Sequence, residues 1–187
     1  MIIHWGPSPE LFSFGPISIR WYGLLFATGF MVGYRIIEKI FRREGCNREH
    51  LDHLLIYLIL GTTIGARLGH CLFYEPELYL HDPLRIFYIW EGGLASHGGT
   101  LGNIFSMWLF VRRFKEYEYI WLVDRLSYPI GFAAFCIRMG NVMNSEIIGL
   151  PTNANWGVVF ERIDSLPRYP AQLFEAIAYL ATFFLMR

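Results

Sequence analysis

The sequence predicts an all-α, polytopic integral membrane helix bundle of about five transmembrane helices with its N-terminus outside. Three observations predict it. Charged residues make up only 17% of the 187 while apolar residues reach 54%, against about 25% charged in an ordinary soluble domain. Five stretches with no charge, or with one arginine inside them, recur along the chain. The segments that join these stretches alternate between basic-rich and basic-poor. Disorder and coiled coil are excluded by the same composition. With 16 Lys+Arg against 16 Asp+Glu, no basic excess exists to bind nucleic acid.

The first stretch is Trp21–Tyr34, uncharged. The second, His53–Ala66, continues across Arg67 into Leu68–Tyr74. The third, Gly92–Val111, offers 20 residues without a formal charge, the length of about 20 that a helix needs to cross a bilayer core. The fourth, Leu126–Ile137, continues across Arg138 into Met139–Met143, and the fifth is Ala176–Met186. Arg35, Lys39, Arg42, Arg43 and Arg48 follow the first stretch, and Arg112, Arg113 and Lys115 follow the third. The other two connecting segments hold only Arg85, and Arg162 with Arg168. Basic residues are retained on the cytoplasmic side, so this alternation sets the orientation. Trp5, Trp21, Tyr79, Trp90, Tyr117, Tyr119, Trp121 and Trp156 stand where interface anchors belong. No basic run precedes an apolar stretch at the start, so no cleavable signal peptide is expected.

Gly61, Gly65 and Gly69 repeat at four-residue steps, as do Gly29 and Gly33. This spacing lets helix backbones approach closely, and it reads as packing. Asp82–Glu91 reads as a short amphipathic surface helix opened by an Asp cap and a Pro. No repeat, linker or low-complexity segment interrupts the chain, which predicts one transmembrane domain over 1–187. Cys46, Cys71 and Cys136 share no metal-like spacing and form no disulfide framework. His50 and His53 could share a helix face, yet no third ligand follows, so they read as a solvated helix start with no metal. His4, His70 and His81 have no partner legible in the sequence, and Asp124 with Arg125 reads as a self-paired feature of the inner side.

Ionisable groups inside spans are costly and mark function by default. In the predicted orientation Tyr22, Arg67, His97, Arg138, Asn141, Asn144, Glu146, Gln172 and Glu175 all fall towards the outer leaflet. Singly, each has a bland account: Arg138, Asn141 and Asn144 as snorkelling and capping groups, Arg67 as the partner of Glu175 or Glu146. Together they favour a site for an anionic ligand. Arginine presents a planar fork to phosphate. Gly98 and Gly99 beside His97, with Gly92 and Gly93 before it, allow close backbone approach. A histidine can take a proton from a thiol or alcohol. These residues point to an enzyme acting on a phospholipid headgroup in the outer leaflet.

Five blocks carry a resemblance. They are Ile19-Arg20-Trp21-Tyr22-Gly23-Leu24, Gly65-Ala66-Arg67-Leu68-Gly69, the run from Trp90 through His97 to Gly99, Arg138-Met139-Gly140-Asn141 through Asn144 and Glu146 to Gly149, and Tyr169-Pro170-Ala171-Gln172-Leu173-Phe174-Glu175-Ala176. In that order they resemble the prolipoprotein diacylglyceryl transferase family. Ile137, Val142, Tyr169 and Phe174 depart from the family's usual Gly, Phe, His and Tyr. The resemblance also implies further helices beyond Arg187, with one more functional arginine. It implies transfer of the diacylglyceryl group of phosphatidylglycerol to the lipobox cysteine thiol of a preprolipoprotein. A thioether forms and glycerol phosphate leaves, without a cofactor or metal. The implied setting is the bacterial cytoplasmic membrane, with the active site towards the outer leaflet. His97 would be the catalytic histidine and Arg138 the phosphate partner. Tyr22, Arg67, Gly98, Gly99, Asn141, Asn144, Glu146 and Gly149 would hold substrate. The alternative reading is a membrane protein that binds anionic phospholipid without chemistry. Retention of the whole polar set favours the enzyme.

Overall fold

The computed structural model describes residues 1–14, 17–88, 93 and 95–186. It is mostly helical, with two compact units, Met1–Ile37 with Leu126–Arg187, and Glu38–Arg125. The helices are α1 (Trp21–Arg43), α2 (Arg48–Phe73), α3 (Pro76–His81), α4 (Ser96–Arg113), α5 (Tyr119–Asn144) and α6 (Ala171–Leu185), with a 3-10 helix at Pro83–Phe87.

Among the described residues, α2 and α5 are long and apolar enough to cross a membrane. At 26 residues each they extend about 39 Å, enough for a hydrocarbon core of about 30 Å. Only 28% and 22% of their apolar windows are buried. Core helices of a soluble protein ordinarily hide such apolar surface, and these exposed faces suit contact with lipid.

In the unit of residues 38–125, α2 and α4 cross through glycines, as the four-residue spacing implied. A Cβ on Gly69 would stand 2.8 Å from Gly98 Cα, and one on Gly61 would stand 2.6 Å from the Gly102 carbonyl oxygen. Both are closer than real Cβ atoms come, so the two backbones are nearly in contact. Asn47 caps α2, its side chain accepting from Glu49 N–H at 3.0 Å. Phe41, Phe110 and Trp121 each pack on the Tyr117 ring, with centroids 5.3–5.8 Å from it. Burial pushes the Tyr117 hydroxyl up to about 12, and His50 Nδ1 lies 3.0 Å from that hydroxyl and 3.0 Å from Glu116. His53 Nδ1 meets the Glu49 carbonyl at 2.7 Å. His53 is therefore engaged within its own helix start, while His50 reaches Glu116 and Tyr117 ahead of α5. Arg125 pairs with Asp124, as expected, and also with Glu44 at 3.0 Å.

The unit built from 1–37 and 126–187 corrects the all-helical expectation. β1 (Ile2–Trp5) pairs in parallel with β4 (Gly157–Phe160), which pairs antiparallel with β5 (Pro167–Arg168). β2 (Glu10–Phe14) and β3 (Ile17–Arg20) form an antiparallel pair. These strands hold two to five residues, too short for a span-length hydropathy window to register. β-branched residues favour them: Ile2, Ile3, Val158 and Val159 lie in the paired strands, and Ile3 faces Val158 directly. In the same unit Gly29 packs on Ala133, where a Cβ would stand 3.1 Å from Ala133 Cα.

The surface segment also differs from expectation. Asp82 makes no side-chain cap; it pairs with Arg85 at 3.3 Å, and the helix that Pro83 opens is a five-residue 3-10 turn ending at Phe87. The rest of the expected helix, Ile89 to Glu91, lies outside the described residues, as does Gly92.

Candidate active site

Each unit carries one polar cluster made of residues that the sequence singles out. In the unit of 1–37 and 126–187 the cluster grows from the end of α5. Arg138 and Asn141 are three residues apart, so they share a helix face, and Arg138 Nη1 donates to Asn141 Oδ1 at 3.2 Å. Arg138 Nε meets Glu175 Oε2 on α6 at 2.6 Å. Glu175 thus partners Arg138, a pairing that sequence spacing could not assign. Asn141, buried, donates through Nδ2 to Glu146 Oε2 at 3.3 Å. Asn144 donates to the other oxygen, Oε1, at 3.2 Å. The Glu146 carboxylate is therefore an acceptor for two amides, while Arg138 is fixed between a carboxylate and an amide oxygen.

The remaining groups close round this network. Tyr22 at the start of α1 lies against Gly140, where a Cβ would stand 2.7 Å from the ring. Gly149 is pinned to the strand leading into α6: its N–H donates to the Tyr169 carbonyl at 3.1 Å, and its own carbonyl accepts from Arg168 Nη1 at 3.2 Å. A Cβ there would collide with Tyr169. Arg168 is held in turn by Asp164 at 2.5 Å. The hydrogen bond from Arg168 keeps the Asp164 carboxyl below the usual carboxylate range. Arg162 donates to the Asn144 carbonyl. Asn144 Oδ1, Ser145 Oγ and Gln172 Oε1 are buried with no hydrogen-bond partner among the described residues. All three surround Glu146 in sequence or by contact, and polar atoms left so are concentrated where ligands act.

The second cluster lies at the ends of α2 and α4. Arg67, 3% exposed, sends its guanidinium to backbone carbonyls: Nε to Ile86 at 2.9 Å, Nη2 to Arg85 at 2.5 Å and Tyr88 at 3.2 Å, and Nη1 to Gly93 at 3.3 Å. It also lies 5.1 Å from the Tyr79 ring centroid. A cation on the last carbonyls of a helical turn is favourable, so Arg67 gathers the carbonyls of Arg85, Ile86, Tyr88 and Gly93. Gly93 adopts φ +71°, and a Cβ there would stand 2.6 Å from the His70 ring. Only glycine fits both the angle and the space. His70 stacks on Tyr74, 5.5 Å between centroids, and lies 3.8 Å from Glu75.

His97 is exposed in the first turn of α4, its ring edge-on to Phe73 at 5.3 Å. Gly98 and Gly99 are buried. Gly98 meets Gly69 of α2, so its missing side chain serves the helix crossing. At the start of α4 the Gly99 N–H donates to the Ala95 carbonyl at 3.0 Å and the Ala95 N–H to the Ala66 carbonyl of α2 at 2.9 Å.

The sequence reading missed the roles of Gln172, Glu175 and Ser145 in this arrangement. Gln172 and Glu175 stand three apart at the start of α6, a spacing that marks one helix face.

Comparison with known proteins gives the following. The family model described as prolipoprotein diacylglyceryl transferase matches residues 9–187. A phosphatidylglycerol–prolipoprotein diacylglyceryl transferase of Tolumonas auensis is 54% identical over 185 residues, covering 99% of this chain and 72% of the relative. Proteins of the same name from Chloroherpeton thalassium and Porphyromonas gingivalis are 48% and 45% identical, covering 98% and 97% of this chain and 69% and 68% of themselves.

Proposed function

The chain belongs to the prolipoprotein diacylglyceryl transferase family, and on that premise we propose that it transfers the diacylglyceryl group of phosphatidylglycerol to the lipobox cysteine thiol of preprolipoproteins. The thiol sulfur bonds to the glyceryl carbon, the carbon–oxygen bond to phosphate breaks, and glycerol phosphate leaves with that oxygen. The thiol proton passes to a base.

The observation that carries the reading is the Arg138 network. A leaving phosphate gains negative charge, which a preorganised guanidinium in a water-poor site stabilises. Arg138 is preorganised by Glu175 through Nε and by Asn141 through Nη1, and a phosphate oxygen would meet the guanidinium so held. Glu146, Asn141, Asn144, Tyr22 and Gly149 complete that cluster. His97 is the candidate base: a thiol ordinarily titrates near 8.5, so proton removal is needed at neutral pH. Gly99 and Gly98 support its helix turn, and Arg67 holds the Gly93 carbonyl. No step calls for a metal or cofactor.

The setting we propose is a bacterial cytoplasmic membrane, crossed about five times with the N-terminus outside and the site towards the outer leaflet. One membrane domain comprises all 187 residues. Exposed apolar side chains on α1, α4 and α6 support spans beyond α2 and α5, among them Met31, Leu101, Phe105, Ile177 and Leu185. The test is to incubate the purified chain with phosphatidylglycerol vesicles and a synthetic lipobox peptide. Mass spectrometry is expected to find a diacylglyceryl-sized gain on the cysteine, lost in Arg138→Ala. A peptide left unmodified by the wild-type chain would overturn the reading.

A further inference from the structure

Two residues after α5 hold backbone angles that their side chains oppose. Ser145 has φ 56° and Ile147 has φ 52°. In this left-handed region Cβ crowds the carbonyl, and a β-branched residue is a true outlier. Ile147 is 57% exposed, so its own packing does not hold it there. Ser145 is buried, yet its hydroxyl has no partner among the described residues, so no side-chain bond compensates at that residue either. What fixes the turn is the residue between them. Glu146 N–H donates to the Asn141 carbonyl at 2.9 Å, and its carbonyl accepts from Gln172 Nε2 at 2.7 Å.

Gln172 is fully buried in the first turn of α6, and its Oε1 has no partner among the described residues. Burying an amide with half its capacity unmet costs stability. Among the described residues, the side-chain bond it makes lands on the carbonyl flanked by both left-handed residues. We propose that Gln172 is a positioning residue, clamping the Glu146 carbonyl so that the strained turn holds and the Glu146 carboxylate reaches Asn141 and Asn144. The consequence for catalysis rests on the transferase reading given above, but the clamp itself does not.

Gln172→Met, which keeps side-chain length and removes the donor, tests this in the full chain in detergent. Hydrogen exchange at the amides of 145–147 is expected to rise about ten-fold, the loss of one net hydrogen bond, while α5 amides hold. Diacylglyceryl transfer is expected to fall about ten-fold in kcat, with the KM for phosphatidylglycerol within about two-fold. Adding Ile147→Gly, which removes the backbone penalty, is expected to restore most of the kcat loss. Unchanged exchange at 145–147, a rise spread evenly over the chain, or no recovery with glycine would overturn the clamp. Should Gln172→Met alone not fold, the double variant is read against Ile147→Gly. A difference within about two-fold in exchange supports the clamp, and ten-fold or more overturns it. If exchange rises locally but the wild-type chain transfers nothing, the clamp stands and the transferase reading fails.

Discussion

Arg138→Lys separates a specific guanidinium from a mere positive charge. Arg138 meets two partners through two nitrogens, Glu175 Oε2 at 2.6 Å through Nε and Asn141 Oδ1 at 3.2 Å through Nη1. A lysine ammonium is one nitrogen on a flexible stem and cannot hold that fork. Keeping the Glu175 contact, it gives up the Asn141 bond and the preset direction of the remaining donors. A hydrogen bond involving a charged group is worth about 1.5–3 kcal/mol. If that sum is expressed in the transition state, kcat/KM falls about 10- to 150-fold. The assay is initial-rate transfer to a lipobox peptide from phosphatidylglycerol vesicles, with thermal unfolding measured alongside. A loss under about three-fold, with unchanged unfolding, would refute a directional role for this arginine.

Three further outcomes follow from other parts of the molecule. Gly69→Ala drives a methyl to 2.8 Å from Gly98 Cα, so unfolding in detergent is expected to weaken by about 1–3 kcal/mol. Gly23→Ala, with nothing within 4 Å, is expected not to destabilise, and equal losses at both sites would contradict the close crossing. Glu146→Gln sets an amide NH2 against one of the two amide donors of Asn141 and Asn144, and transfer is expected to fall about ten-fold; activity within two-fold would remove Glu146 from the network. The Asp164 carboxyl is depressed by Arg168. Its stabilisation is therefore complete above the unfolded carboxylate value of about 3.9 and lost as pH falls through the lower folded value. Unfolding followed from pH 7 downward is expected to lose this acid-side step in Asp164→Asn; a difference in slope between pH 6 and 8 would contradict the assignment.

How much was legible in the sequence follows from what each feature depends on. Glycines at four-residue steps specify a helix crossing through local geometry alone, and α2 meets α4 at those positions. Arg138 and Asn141 were legible because a helix places i and i+3 on one face. Family membership was legible because five blocks occur in order, and the comparisons agree. The strands were not legible: Ile2 pairs with Gly157, and so distant a pairing leaves no periodic trace in four residues. The partners of Arg67 were hidden for another reason. Four of them are backbone carbonyls, which every residue possesses, so side-chain chemistry could not identify these. The left-handed turn at Ser145 and Ile147 was equally hidden, since no glycine or asparagine stands at either position to announce it.

The most direct test of the proposed chemistry follows headgroup-labelled phosphatidylglycerol in the complete reaction with a lipobox peptide. One glycerol phosphate released for each thioether formed, with both falling together in Arg138→Lys, is the result expected. Transfer of a single acyl chain, with the labelled headgroup retained in a lyso-lipid, would contradict a displacement at the glyceryl carbon and the role given to Arg138.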